Sequence, residues 1–197
     1  MPATLPPIRS LPVRQRVFTC ADVAALPETL PSGDVRYELD DGRLIVMAPP
    51  GDAHANIQLN VGFELKLQGE KPGHGKAKTE VGIVLWRNPD RLVGADVAFV
   101  AAASLPVRLT REGYLETIPE LVVEIRSRHD TMAELAAKAE DYLAAGVRIV
   151  WLVDPMSRTV IVRRSGTAAE TLDETGVLEA EGVIPGFRFA VADLLRD

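Results

Sequence analysis

The sequence predicts an α/β domain in which a mixed β-sheet is flanked by helices. The segment 121–153 has the pattern strand, helix, strand, and a crossover of this kind normally joins parallel strands. Turn signals on either side, at 40–42 and 154–155, indicate hairpins, which pair their strands in antiparallel fashion. A sheet with both kinds of pairing accounts for both observations.

The composition favours a soluble globular protein. Of the 197 residues, 47% are hydrophobic and 25% are charged, which is enough for a real core and a solvated surface. No apolar run is long enough to span a bilayer, and residues 1–16 lack the apolar stretch of a signal peptide. We therefore expect a cytoplasmic protein with no membrane partner. Cys20 is the one cysteine, which excludes an internal disulfide and a zinc site built from several thiolates.

The net charge of -6 argues against a protein that coats nucleic acid by bulk attraction. It does not argue against catalysis on nucleic acid, because enzymes of phosphodiester chemistry cluster carboxylates around metal ions. The charge is therefore a weak indication against non-specific DNA binding only.

The first part of the chain divides at about residue 33. Residues 1–33 are rich in proline and aperiodic, and we interpret them as an N-terminal arm, with 34–197 as a single domain. Within the arm, Thr19 can cap a short helix over 18–26. Two strands follow at 35–39 and 43–48, joined by an Asp-Asp-Gly turn.

A helix is predicted over 53–68, where apolar residues recur at helical spacing on two neighbouring faces. We expect burial of much of its surface, including Leu59, Phe63 and Leu67 on the second face. Strands are then predicted at 79–86 and 93–100, before an irregular connection over 105–119.

The second half begins with a buried strand over 121–125. The clearest helix, 131–145, starts with the capping-box pair Thr131 and Glu134 and stops at Gly146. Two more strands, 147–153 and 159–163, and a short final helix near 191–195 complete the chain.

Two carboxylates stand inside predicted apolar strands, Asp96 in 92–100 and Glu124 in 121–125. A buried carboxylate is costly unless it is paired, hydrogen-bonded or bound to a metal ion. Two of them on strands that could be neighbours suggest one shared cation, and hard oxygen ligands suit Mg²⁺ or Mn²⁺. The alternative is that each carboxylate points to solvent or pairs with an arginine.

Lys138 lies in the helix that follows Glu124, to the side of the apolar stripe. By spacing alone it forms a surface ion pair with Glu134 at i, i+4. Its functional alternative is a cation that orients a water nucleophile or stabilises charge on a scissile phosphate. Tyr142, one turn further on, is expected to pack in the core at the edge of the stripe.

Short motifs run in order from residue 37 toward residue 195. They are YELDDG at 37–42, LIVM at 44–47, His54, Asp96, LVVEIRS at 121–127, KAEDY at 138–142, AGV at 145–147, WLVDP at 151–155 and VIPGF at 183–187. Their order and spacing resemble those of the Uma2 family, also called DUF820. The resemblance implies a restriction endonuclease-like core of the PD-(D/E)XK nuclease superfamily.

The resemblance also implies roles for particular residues. Asp96 and Glu124 would hold Mg²⁺ or Mn²⁺, joined by the backbone carbonyl of Ile125. Lys138 would replace the lysine that usually stands two residues after the acidic ligand. In this chain that strand position is Arg126, which would assist as a cation or contact phosphate.

Two accessory residues and three departures complete the comparison with the family pattern. Glu38 would be an accessory acid near the metal, and His54 either a base or phosphate contact or a histidine bonded locally. Ala95 stands where the motif has proline, Arg43 where relatives often have glutamate, and 128–130 where many have a proline-containing stretch.

Three hypotheses about the function follow. The first is a metal-dependent endonuclease that hydrolyses phosphodiester bonds of nucleic acid, with DNA expected rather than RNA. The alternative is a catalytically inactive module that binds nucleic acid or a partner and retains the nuclease fold. A third hypothesis is a dimeric structural protein in which the proline-rich arm wraps a second copy. Superfamily relatives often dimerise, so a homodimer is expected and is compatible with the first hypothesis too.

Overall fold

The computed structural model describes residues 16–49, 51–106 and 113–196. Residues 1–15 of the predicted arm, and part of the connection 105–119, lie outside the described residues. In chain order the elements are α1 (Cys20–Ala24), β1 (Thr29–Leu30), β2 (Gly33–Asp34), β3 (Arg36–Asp40), β4 (Arg43–Met47), α2 (Asp52–Glu64), β5 (Gly75–Trp86), β6 (Arg91–Ala101), β7 (Leu121–Ile125), α3 (Met132–Ala145), β8 (Ile149–Asp154), β9 (Thr159–Arg164), β10 (Glu170–Leu172), β11 (Val177–Glu179), β12 (Arg188–Ala190) and α4 (Val191–Leu194). A π-helical segment, Leu65–Glu70, extends α2, and a 3-10 turn, Ala102–Ser104, follows β6.

The central sheet has eight strands in the described part of the chain and is mixed, as the sequence predicts. Its strands follow the order β10–β9–β8–β7–β6–β3–β4, with β5 on the remaining edge of β6. The crossover through α3 joins β7 and β8 in parallel, whereas the other pairs are antiparallel.

Strand β6 creates a fork in the sheet. It pairs with β5 along one edge, and its other edge is shared by two strands in succession. Val97, Ala98 and Phe99 pair with β7, whereas Leu92 pairs with β3. Among the described residues, 93–96 have no ladder partner on this edge, so β3 and β7 diverge there and leave room for side chains. This gap beside residues 93–96 of β6, between β3 and β7, is called the fork below.

Helices cover both faces of the sheet. One face packs against α2 and the C-terminal segment, where the rings of Trp151 and Phe187 lie 5.7 Å apart. The other face packs against α3 through the buried Leu135, Ala139 and Tyr142. Burial of these apolar faces is the main stabilising contribution to the fold. No helix of the described residues is long and apolar enough to cross a membrane.

The expectation that α2 is buried on two faces is wrong. Ile57, Val61 and Leu65 are buried against the sheet. Leu59, Phe63 and Leu67, in contrast, are 68%, 58% and 43% exposed. The helix lies on the outside of the sheet and meets it with one face only, so spacing alone could not show which apolar face remains open.

The described part of the N-terminal segment packs on the domain. Thr19 caps α1 with a capping box to Asp22, where the sequence predicts a short helix. Cys20 and Val23 are buried in a cluster with Leu39 of β3. The Cys20 amide donates to Asp90 Oδ2 at 2.8 Å, which fixes α1 to the turn between β5 and β6.

Helix α3 has the predicted capping box at Thr131 and the predicted left-handed Gly146 at its end. A buried arginine also holds it against the sheet. Arg91, 6% exposed, reaches Asp141 of α3 from Nε and from Nη2, both at 2.8 Å. Its Nη1 donates to the carbonyl of Leu39 at 3.0 Å. Arg91 thus links Asp141 of α3 to the Leu39 carbonyl of β3, and these contacts fix the position of α3 above the fork.

Candidate active site

Six polar side chains converge on the fork from five elements. β3, β6 and β7 supply one carboxylate each, α2 supplies a histidine, and α3 supplies a lysine and a tyrosine. They are Glu38, Asp96, Glu124, His54, Lys138 and Tyr142.

The ladder between β6 and β7 explains how Asp96 and Glu124 come together. Its last pair is Val97 with Val123, so the next residues, Asp96 and Glu124, lie opposite each other where the strands separate. There the Asp96 carboxylate takes the place of a backbone carbonyl of the ladder. Its Oδ2 accepts a hydrogen bond from the Ile125 amide at 2.7 Å. Asp96 is thus bound to the end of β7 as well as to its own strand.

The opposite edge of β6 is also irregular at Asp96. The ladder with β5 pairs Thr79 with Val97 and Val81 with Ala95, but it omits the pair between them. Glu80 at this point has φ 53°, in the left-handed region that a glutamate rarely adopts. Such local irregularities of a strand redirect side chains and often occur beside active sites.

His54 contacts Asp96 from the first turn of α2. Its Nε2 lies 3.1 Å from Asp96 Oδ2, and the side chain is 8% exposed. Burial lowers the pKa of His54, but the hydrogen bond and charge of Asp96 outweigh it, so the net shift is upward.

Lys138 is the cation at the centre of the fork. Its Nζ donates to Glu38 Oε1 at 2.8 Å, to the Gly94 carbonyl at 3.0 Å and to Glu124 Oε2 at 3.2 Å. It does not form the surface pair with Glu134, because that carboxylate caps the Thr131 amide at 2.8 Å. Burial lowers the pKa of Lys138, but Glu124 and Glu38 raise it more, so the ammonium stays charged.

The pKa of Glu124 is strongly raised. Burial raises its pKa, and Lys138 opposes that rise, while the charges of Asp96 and Glu38 add to it; the resulting pKa is about 8. Its Oε1 accepts the Tyr142 hydroxyl at 2.5 Å and lies 3.1 Å from Lys138 Nζ. A cation that binds Glu124 therefore competes with a proton, and this competition weakens as pH rises.

Comparison with known proteins identifies the family and the fold of the chain. The model of the Uma2 family, described as "putative restriction endonuclease", matches residues 22–192. The chain belongs to the Uma2 family. The crystal structure of a "putative nuclease belonging to DUF820" from Anabaena variabilis ATCC 29413 is similar, with a TM-score of 0.75 and 20% sequence identity over 90% of this chain and 97% of that chain. The search of curated proteins gives no match. At this identity the likeness shows the fold alone, and the predicted family and fold class are confirmed.

Arg126, at the strand position where the Uma2 resemblance suggested an assisting cation, does not reach the fork. β7 ends at Ile125 and the chain turns, so Arg126 points toward Asp154, 3.1 Å from its Oδ2. Its Nε donates to the carbonyl of Asp130 at 3.1 Å. Lys138, not Arg126, is therefore the basic side chain that contacts Glu38 and Glu124 in the described part of this Uma2 chain.

The donor set of this Uma2 site fits a hard divalent cation. Among the described residues, Asp96 Oδ1 and Glu38 Oε2 accept no hydrogen bond, whereas both oxygens of Glu124 are engaged. No three His, Cys, Asp or Glu side chains of the described chain form a ready-made metal cluster. Mg²⁺ is commonly held by one or two carboxylates and completes its shell with water and substrate phosphate. The arrangement suits that mode.

Tyr142 packs in the core, as predicted, but sequence reasoning did not predict that its hydroxyl reaches the site. The signal that could have found it is its spacing, since Lys138 and Tyr142 are i and i+4 on α3 and share one face. The role of Gly94 had no signal in the sequence. Its amide donates to Glu38 and its carbonyl accepts from Lys138, and these contacts exist only because the fold brings the three residues together.

Proposed function

We propose that this Uma2 family member is a metal-dependent endonuclease that hydrolyses phosphodiester bonds of nucleic acid, with DNA as the substrate. The observation that carries the proposal is the convergence of three carboxylates and a buried, charged lysine on the fork between β3 and β7. The description of the family as restriction endonucleases supports both the reaction and the substrate.

The residues of the fork have complementary roles in this proposal. Asp96 and Glu124, with the Ile125 carbonyl and Glu38 at the margin, would hold Mg²⁺ or Mn²⁺. Such an ion lowers the pKa of a bound water and neutralises charge that develops at phosphorus. Lys138 would exchange one of its three present acceptors for the attacking water or a phosphate oxygen and orient it. His54 keeps Asp96 in position through Oδ2, so Oδ1 would be available to bind the cation.

A second candidate is an inactive module that retains the nuclease fold and binds nucleic acid or a partner. The engagement of Glu124 favours it, because Lys138 and Tyr142 already occupy both carboxylate oxygens. A lysine that permanently neutralised these acids would leave the fork as a structural ion pair.

Cleavage assays on the full chain distinguish the two candidates. Supercoiled plasmid, single-stranded DNA and an RNA of the same sequence are incubated with Mg²⁺, with Mn²⁺ or with EDTA. The endonuclease proposal predicts cleavage of DNA that requires the metal ion and is lost in Asp96→Asn. Binding of DNA without cleavage under all conditions would favour the inactive module. Cleavage of RNA alone would contradict the proposed substrate.

We also propose that the chain forms a homodimer through the outer face of α2. Leu59, Phe63 and Leu67 are exposed at i, i+4 and i+8, so two antiparallel copies could place Phe63 against Phe63 with Leu59 over Leu67. Light scattering after gel filtration should give twice the mass of 21.4 kDa for the wild type. Phe63→Glu should give the monomer mass, whereas a monomeric wild type at tens of micromolar would refute the dimer.

A further inference from the structure

Tyr142 is a buried side chain whose hydroxyl serves the fork. It has 0% exposure, and its ring packs in the apolar cluster between α3 and the sheet. Its hydroxyl donates to Glu124 Oε1 at 2.5 Å. A phenol in such a cluster needs a hydrogen-bond partner, and here that partner is a candidate metal ligand rather than a backbone carbonyl.

Two donors of one helix face hold the Glu124 carboxylate. Lys138 Nζ lies 3.1 Å from Oε1 and 3.2 Å from Oε2, and Tyr142 bonds Oε1 from the next turn of α3. Lys138 also donates hydrogen bonds to Glu38 and to the Gly94 carbonyl. In the proposed reaction it also meets water or phosphate. Among the described residues the Tyr142 hydroxyl bonds Glu124 alone, so this hydrogen bond can persist when Lys138 changes partners.

The position of Tyr142 is itself fixed. The residue before it, Asp141, receives the buried Arg91 guanidinium at 2.8 Å, and this contact sets α3 against β6. The ring of Tyr142 lies 6.0 Å from Lys138 Nζ. The hydroxyl is therefore presented to Glu124 by a helix that is anchored beside it, which is the arrangement expected of an outer-shell partner of a metal ligand.

We propose that Tyr142 is a positioning residue that holds Glu124 in the orientation in which its carboxylate binds the divalent ion. The inference rests on the proposed function, because it takes Glu124 as a ligand. The competing explanation is that the hydroxyl contributes only to the stability of α3. The two differ in whether metal affinity changes independently of stability.

The test measures Mn²⁺ binding to the full chain by isothermal titration calorimetry, with unfolding in urea measured beside it. Tyr142→Phe keeps the ring and removes the hydroxyl, so it should weaken Mn²⁺ binding by roughly 10-fold, as loss of an outer-shell partner usually does. Two control variants should leave the Mn²⁺ affinity as it is. Tyr37→Phe removes a hydroxyl that bonds the Pro27 carbonyl at 2.7 Å, away from the fork. Ala139→Gly loosens α3 without touching Glu124.

Each outcome decides the inference. Weaker binding in Tyr142→Phe alone supports it. Equal Mn²⁺ affinity in wild type and Tyr142→Phe overturns the inference but not the metal site. An equal weakening of Mn²⁺ binding in Ala139→Gly also overturns the inference, because loosening of α3 would then explain the weaker binding. A wild type that binds no Mn²⁺ overturns the inference together with the proposed function.

Discussion

Replacement of Asp96 by asparagine is expected to reduce DNA cleavage by a factor on the order of 10³ or more, with the fold retained. The amide has the size of the carboxylate, and its oxygen can still accept the Ile125 amide that now reaches Oδ2 at 2.7 Å. What it loses is the negative charge, and a neutral amide is a poor ligand for a hard divalent cation. The rate of plasmid relaxation under single-turnover conditions measures the effect.

Asp193→Asn is the matched control for this experiment. Asp193 lies on α4 and forms an exposed ion pair with Arg196, so the same chemical change should leave cleavage as it is. Cleavage by Asp96→Asn within a few-fold of the wild-type rate would show that the reaction does not depend on this carboxylate. Our assignment of the ligands would then be wrong.

Replacement of Lys138 by methionine should have two effects. Cleavage should fall by about 10²–10³-fold, because the donor that orients the nucleophile or phosphate is lost. The free energy of unfolding should fall by about 3 kcal/mol, because Glu38 and Glu124 stay buried without their cation. Cleavage assays and urea unfolding measure the two effects separately.

The loss of stability in Lys138→Met should also depend on pH. In the wild type, the raised pKa of Glu124 lowers the stability of the fold as pH rises from 4.5, the ordinary pKa, to about 8, and the loss then stops because the folded state ionises as well. Without Lys138 the folded pKa is higher still, so the loss continues above pH 8. The stability difference between variant and wild type should therefore widen between pH 7 and pH 9.

Lys66→Met provides the control for the removal of a lysine. Lys66 forms an ion pair with Glu70 and is 64% exposed, so its loss should cost less than about 1 kcal/mol and leave cleavage unchanged. If Lys138→Met behaved like Lys66→Met in both measurements, the buried ion pair would have neither the structural nor the catalytic role described above.

The fold was predictable where the local signals are strong. The capping box at Thr131 with Glu134 and the stop at Gly146 define α3 within a residue. The Asp41–Gly42 turn, with φ of 47° and 78°, places β3 against β4. These features depend on neighbours in sequence, and local chemistry decides them.

The family resemblance implied one site for Glu38, Asp96, Glu124 and Lys138, but the geometry of the fork could not be predicted, because it depends on which distant strands share one edge of β6. Asp96 and Glu124 could be selected as buried carboxylates, but nothing local shows that they lie opposite each other. The contact of Lys138 with Glu38 spans 100 positions of the chain. Arg126, also a cation and nearer in sequence to Glu124, turns instead to Asp154 because β7 has ended.

The central claim is that Asp96 and Glu124 together hold one divalent cation in the fork. A crystal structure of the chain soaked with Mn²⁺, with data collected at the manganese absorption edge, tests it most directly. We predict one anomalous peak about 2.0–2.6 Å from an oxygen of Asp96 and an oxygen of Glu124. A fork without manganese, beside fully bound manganese elsewhere, would contradict the claim.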